Sequence, residues 1–310
     1  MKLIFFGSDD FAAVHLKALV ASSHDVAACV TQPDCPKGRG MKVLFSPIKD
    51  IAFEHKIPLL QPENLKSEDI VSKLKSYQAD LFVVIAYGQI LPANVLSIPK
   101  LFAVNVHTSL LPKYRGAAPI NWAIINGEEE SGVTIIKMNA ALDAGEIIFQ
   151  QKIKIGNTDT AVSLREKMMA IGPKLFLNTI EDLLRNHYTL KGQDAKFVTQ
   201  APKLTKELGK INWEKSAQEI HNLVRGLLPW PGAYTGFKDK SLKILETKLS
   251  GDVNGSPKAG EVIEVNKEGI VVRTGQGALL ITKVHAESSK PMDAHSFVIG
   301  HQLKNGFIFS

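Results

Sequence analysis

Two kinds of hydrophobic pattern alternate over residues 1 to 184. Short continuous apolar runs, KLIFFG at 2–7, DVAACVT at 25–31, LFVVIA at 81–86 and FAVNVH at 102–107, show no polar alternation. Runs of this kind are expected of parallel strands covered by helices on both faces. Between them lie stretches with helical spacing, AAVHLKALVAS and PIKDIAFEHK; the second has Pro47 at its first turn, where a missing N–H costs little. GVTIIKM at 132–138 and EIIFQQKIKI at 146–155 add two strands, and residues 160–184 read as a long helix. The alternation predicts an α/β fold with a Rossmann-like, doubly wound, mostly parallel sheet, whose ligands sit beyond the carboxyl ends of the strands.

After Tyr188 the pattern changes. Residues 189–210 are polar and hold five lysines. SAQEIHNLVRGL at 216–227 reads as a helix opened by a capping box, Ser216 with Glu219 three residues on. The runs LKILETKLS, GEVIEVN, GIVVRTG and GALLITKV follow, each bounded by Gly, Asn or Pro, which predicts a small OB-like all-β barrel. The expected organisation is a Rossmann-like domain over 1–188, a linker over 189–205 and the barrel domain over 206–310. Residues 32–46, QPDCPKGRGMKVLFS, are broken by Gly and Pro and read as a long loop carrying Lys37, Arg39 and Lys42. Trp213 and Trp230, in apolar or Pro-bounded stretches, read as core.

Composition narrows the class. With 310 residues, 45% hydrophobic and 22% charged, the chain can bury two cores. No apolar run approaches the ~20 residues that cross a bilayer. The first residues have neither the apolar core of a signal peptide nor the Arg-rich pattern of a transit peptide, so a cytoplasmic location is expected. Cys29 and Cys35 have no ligand partners at zinc spacing and read as free thiols. Net charge is +6, four of it after residue 200, which permits a polyanionic partner without demanding one.

The chemistry centres on NVHTSLLPKYRG, residues 105–116. Asn105 and His107 stand i, i+2 at the end of an apolar strand, on one face, where a packing strand has no use for two polar heads. Asp143, in the small-residue turn NAALDAGEII, is the candidate carboxylate, although alone it could serve only the turn. The rigid, apolar Ser109-Leu110-Leu111-Pro112 beside the polar pair could flank a flat heterocycle. Other chemistries are disfavoured: GSDDFA after the first strand puts two carboxylates where a dinucleotide's pyrophosphate needs bare backbone, and no Walker A, H-E-x-x-H or G-x-S-x-G occurs.

NVHTSLLPKYRGAAPI resembles the signature of the folate-dependent formyltransferases: Asn-x-His, Ser-Leu-Leu-Pro, Arg-Gly. LDAGEII resembles the segment holding that family's third catalytic residue. FFGSDDFA, QPDCPKGRGMKVLFSP, AYGQILP and IHNLVRGLLPWPGAYT extend the resemblance from residue 3 to beyond 235, most closely to members acting on initiator tRNA. One departure is Lys206-Glu207-Leu208, where the family tends to read Lys-Glu-Glu. The resemblance implies formyl transfer from 10-formyltetrahydrofolate to the α-amino group of methionyl initiator tRNA, without a metal; nothing in the sequence suggests more than a monomer. The resemblance also implies catalytic roles for Asn105, His107 and Asp143. The folate would be bordered by Ser109, Leu110, Leu111, Pro112, Tyr87 and Gly88. The tRNA would be held by Lys37, Arg39 and Lys42 on the loop, and by Lys206, Lys210 and Arg225 beyond the linker.

Overall fold

The structure, a computed structural model, describes residues 1–37, 42–251 and 258–310, with backbone alone at 35–37 and 42–44. The order in the first part is β1 (Lys2–Gly7), α1 (Asp10–Val20), β2 (Asp25–Val30), β3 (Cys35–Lys37), β4 (Lys42–Leu44), α2 (Pro47–Glu54), β5 (Leu59–Leu60), α3 (Glu68–Ser76), β6 (Leu81–Ile85), α4 (Ala93–Leu96) and β7 (Phe102–His107). It continues with β8 (Arg115–Gly116), α5 (Pro119–Ile125), β9 (Glu130–Lys137), β10 (Glu146–Lys154) and α6 (Ala161–Leu184). The remainder is β11 (Gln200–Ala201), α7 (Ala217–Gly226), β12 (Ala233–Phe237), β13 (Lys240–Ser250), β14 (Val262–Asn266), β15 (Gly269–Arg273), β16 (Ala278–Ala286), β17 (Met292–Asp293) and α8 (Ala294–His301). Among the described residues no helix is long and apolar enough to cross a membrane.

The chain forms two compact units. The first comprises Met1–Gly116, Ser131–Ile153 and Glu166–Gln200; the second comprises Ala117–Glu130, Lys154–Arg165 and Ala201–Ser310.

The first unit is built on a seven-stranded sheet in the order β10-β9-β7-β6-β1-β2-β5. β1 pairs in parallel with β2 and β6, β6 with β7, and β2 with β5. The order reverses between β1 and β6, so the crevice of a doubly wound fold opens beyond Gly7 and Ile85. The sheet is mixed, not wholly parallel, because β9 runs antiparallel to β7. The segment expected as a plain loop begins and ends as a hairpin, with Cys35 opposite Leu44 and Lys37 opposite Lys42. Helix starts follow local chemistry: Asp9 caps α1 through the Ala12 N–H, and Ser46 caps α2 at the Ile48 N–H with Pro47 next to it.

His15 is fully buried on α1. Its Nδ1 bonds the Phe11 carbonyl oxygen at 2.8 Å, and its ring lies between Phe11 and Phe176. Gly172 on α6 makes the room, since a Cβ there would lie 2.7 Å from Nε2. Burial lowers the His15 pKa from 6.5 to about 4. Between those values the unfolded chain binds a proton that the folded chain refuses. The stability His15 confers is therefore complete above pH 6.5 and falls with pH, by about 3 kcal/mol once pH 4 is reached. Urea unfolding at several pH values should show a flatter acid limb for His15→Leu than for the unchanged protein; parallel limbs would assign the acid lability elsewhere.

In the second unit α7 carries the expected capping box, with Ser216 and Glu219 bonded reciprocally. α7 packs on α5 by close approach: Asn121 Nδ2 donates to the Gly226 carbonyl oxygen at 2.7 Å, and a Cβ on Gly226 would come within 2.5 Å of Ile125. The strands form one antiparallel sheet, β12-β13-β16-β15-β14, with β17 beside β16. Its core gathers Trp213, Ile220, Val224, Phe237, Ile244, Ile281 and Phe297. The last residues bond to both ends of that order. Val262 N donates to Phe307 O and Phe309 N to Gly260 O beside β14, while Gly236 N donates to Ser310 O and Ser310 N to Gly236 O on β12.

Trp213 is core, 5% exposed, as expected, but Trp230 is 51% exposed and is not. Arg225 also departs from expectation. It is 8% exposed, and its guanidinium donates to the carbonyl oxygens of Gly156 and Asp159 and to Asn222 Oδ1. A side chain committed to these acceptors inside the unit is not placed to hold a tRNA phosphate.

Candidate active site

β7 delivers Asn105 and His107, opposite Ile136 and Thr134 of β9 in an antiparallel register. The strand alternation that buries Val104 and Val106 turns the two polar residues to the other face. After β9 the chain turns through residues 138–145 and brings Asp143 back over them. Asp143 adopts φ 50°, in the left-handed region that costs a side-chain-bearing residue on the order of 1 kcal/mol. Two residues on, Gly145 is required: a Cβ there would sit 1.8 Å from the Lys137 carbonyl oxygen, so only glycine lets the turn lie against the end of β9.

The three predicted catalytic residues are brought together. Asp143 Oδ1 lies 3.4 Å from Asn105 Nδ2, Oδ2 lies 3.7 Å from His107 Nδ1, and Oδ2 accepts from the Gly116 N–H at 2.8 Å. The His107 and Asp143 side chains are 7% and 10% exposed, which strengthens every charge interaction between them. His107 Nε2 is 3.0 Å from the Tyr114 carbonyl oxygen, an acceptor only, so this nitrogen carries a hydrogen. Nδ1 is then the ring atom that faces Asp143. Sequence reasoning missed the Gly116 amide and the Tyr114 carbonyl, because backbone groups leave no signature in a side-chain pattern.

The Ser109–Pro112 turn is held rigidly, but not as a set of side chains offered to a ligand. Ser109 Oγ donates to its own turn at the Lys113 carbonyl oxygen, 2.6 Å. Thr134 Oγ1 donates to Ser109 O and accepts from the Leu111 N–H; Gln150 Nε2 donates to Leu111 O. Leu111 is buried with Ile136 and Ile147, whereas Leu110 and Pro112 are half-buried. The Tyr87 ring also points inward, edge-on to Phe6 at 5.6 Å, and burial pushes its phenol up to about 12. What Tyr87 presents outside the core is therefore backbone. Its carbonyl oxygen accepts from Ser8 Oγ and Gln32 Nε2, and the exposed Gly88 follows at φ 83°.

Of the predicted tRNA contacts, Lys206 and Lys210 are exposed. Lys37 and Lys42 are partners in the backbone register of the β3–β4 pair, and Arg39 lies outside the described residues. Next to this hairpin, Asp34 pairs with Lys49 and accepts from Gln61; the Lys49 bond, then the Gln61 bond, hold its carboxyl below the usual carboxylate range. Among the described residues no cluster of three His, Cys, Asp or Glu side chains is placed to hold a metal ion.

Comparison with known proteins identifies the family. The formyl transferase family matches residues 1–180, and the formyl transferase C-terminal domain matches residues 203–302. A methionyl-tRNA formyltransferase of Lachnospira eligens is 43% identical over 310 residues, 99% of this chain and 98% of the relative. One of Clostridium perfringens is 44% identical over 308 residues, 99% of each chain. Among solved structures, the sugar 3N-formyl transferase WlaRD superposes with a TM-score of 0.69 at 21% identity, covering 94% of this chain and 99% of the other. HypX of Aquifex aeolicus in complex with tetrahydrofolic acid gives 0.64 at 18%, covering 96% of this chain and 47% of that one. With a site of this shape and relatives matched end to end, the chain belongs to the formyl transferase family, and within it to the methionyl-tRNA formyltransferases.

Proposed function

We propose that this chain transfers the formyl group of 10-formyltetrahydrofolate to the α-amino group of methionine esterified to initiator tRNA, in translation initiation. The observation that carries the reading is the buried convergence of Asn105, His107 and Asp143 at the end of β7, in a chain matched along its length by methionyl-tRNA formyltransferases. The folate supplies the formyl group, and the donor set suits it: two N–H groups and one carboxylate beside the apolar Leu110 and Pro112.

As the amine bonds to the formyl carbon, negative charge grows on the formyl oxygen and positive charge on nitrogen. Asn105 Nδ2 and an N–H on His107 Nδ1 are the donors available to that oxygen, since Nε2 is taken by Tyr114. Losing one such donor costs about 3–4 kcal/mol in comparable sites. Asp143 holds the Nδ1 edge in place, attracts the developing ammonium and accepts its proton. That proton is then available to the departing folate nitrogen as its bond to the formyl carbon breaks. No step calls for a metal.

For the partner we read Lys37, Arg39 and Lys42 as contacts to the acceptor end, with Lys206 and Lys210 on phosphates. Along the sequence we read a formyltransferase region over 1–188, a connection over 189–205 and an OB-like tRNA-binding region over 206–310, with residues 117–130 and 154–165 of the first region packed among residues from 201 onward; we place the protein in the cytoplasm as a monomer. The bonds of residues 307–310 to both β12 and the start of β14 support a closed, barrel-like sheet.

The test is incubation with labelled 10-formyltetrahydrofolate and methionyl initiator tRNA, followed by recovery of the amino acid. Labelled formyl-methionine is expected; none, with label passing instead to an amino sugar nucleotide offered in a parallel incubation, would replace this reading by that of the sugar N-formyl transferases. Affinity for the tRNA should fall steeply with salt, by about one unit of log–log slope per phosphate contact. A flat salt response would remove the lysines from the interface.

A further inference from the structure

Gln193 lies in the polar stretch that the sequence presents as a linker, yet all of its polar capacity is spent on the Asp143 turn and its surroundings. Its Nε2 donates to two carbonyl oxygens, of Asp143 at 2.8 Å and of Gly145 at 2.7 Å. Its Oε1 accepts from Arg115 twice, from Nε at 3.0 Å and from Nη2 at 2.7 Å. Arg115 precedes Gly116, whose N–H donates to the Asp143 carboxylate at 2.8 Å. One side chain thus ties down the backbone that carries the carboxylate and, through Arg115, the backbone that donates to it. The carboxylate stands on a residue at φ 50°, and such a conformation persists only where the surroundings fix it.

We propose that Gln193 is a positioning residue for the formyl transfer, setting the Asp143 carboxylate against His107 and Asn105 by clamping residues 143–145 to Arg115. The inference rests on the catalytic role read for Asp143. Catalysis falls steeply when a reacting group is misplaced by about 1 Å, so the clamp should be visible in turnover and not in binding.

Gln193→Glu keeps the acceptor for Arg115 but sets a carboxylate oxygen against two carbonyl oxygens; Gln193→Met removes the clamp while keeping the length of the chain. For both, kcat should fall about 30-fold, with KM for folate and for tRNA unchanged within about twofold. Melting temperature should stay close to that of the unchanged protein. In an Asp143→Asn background the same substitutions should cost little more, less than about twofold, because the group they position is gone. An Asp143→Asn enzyme slowed as expected, with the full Gln193 loss added on top, would overturn the clamp while leaving the role of Asp143 standing. An active Asp143→Asn would overturn both. Unfolding of both Gln193 variants, or KM rising in step with the fall in kcat, would show a structural residue only and would also overturn it.

Discussion

Asp143→Asn is expected to lower kcat at least ~100-fold, about 2.7 kcal/mol of activation free energy, while tRNA affinity stays near normal. The substitution keeps the size of the side chain and removes its charge. A neutral amide neither attracts the ammonium that develops on the attacking amine nor accepts its proton. The geometry adds a second loss. Both carboxylate oxygens face N–H donors, Asn105 Nδ2 on one side and the Gly116 N–H on the other. An amide has only one oxygen to offer them, so one donor must face its NH2 group. His107→Ala should fall in the same class. Arg39→Ala, a change on the loop, should instead weaken tRNA binding and leave folate binding unaltered. A gel-shift assay at fixed salt separates the two classes. The reverse pattern would mean that catalytic and docking residues have been exchanged, and a fully active Asp143→Asn would end the mechanism.

A chain ending at Gln200 should fail to fold cooperatively. Local pattern makes residues 1–188 look complete, but residues 117–130 and 154–165 pack with residues from 201 onward. Cutting after 200 takes α7 from α5, leaving Ile120, Ala123 and Ile124 without the helix that packs on theirs, and removes Arg225 from the carbonyls of Gly156 and Asp159. Each large apolar side chain exposed costs about 1.5–3 kcal/mol, a heavy loss against the roughly 5–15 kcal/mol that hold a domain. Calorimetry should find no sharp transition in the shortened chain, and dye binding should report exposed apolar surface. A cooperative transition like that of the full chain would show that residues 117–130 and 154–165 need no cover from the C-terminal part.

What the sequence disclosed follows from the range of each signal. β1, β2, β6 and β7 were readable because a strand buried on both faces must be apolar at every position, and the start of α7 because a capping box is local. Asn105, His107 and Asp143 were found as polar groups out of place in apolar or small-residue surroundings. The direction of β9 was not readable, since a period of two is the same in parallel and antiparallel strands. Arg225 misled because a basic residue on a helix looks exposed until its carbonyl acceptors, 66 and 69 residues away in sequence, are seen. Trp230 misled the other way, since flanking prolines say nothing about what covers a ring. Gln193 was invisible: a polar residue in a polar stretch breaks no pattern.

The bonds of residues 307–310 to both Gly236 and Gly260 bear on how the protein is made. A ribosome releases the chain from the amino end, so β12 and β14 emerge with one backbone row unpaired until Ser310 has left the exit tunnel. Residues 117–130 emerge earlier still and wait for α7. Folding of the second unit is therefore completed only once residues 307–310 are available, and until then the nascent chain holds apolar helix faces and open strand edges that are both available to chaperones.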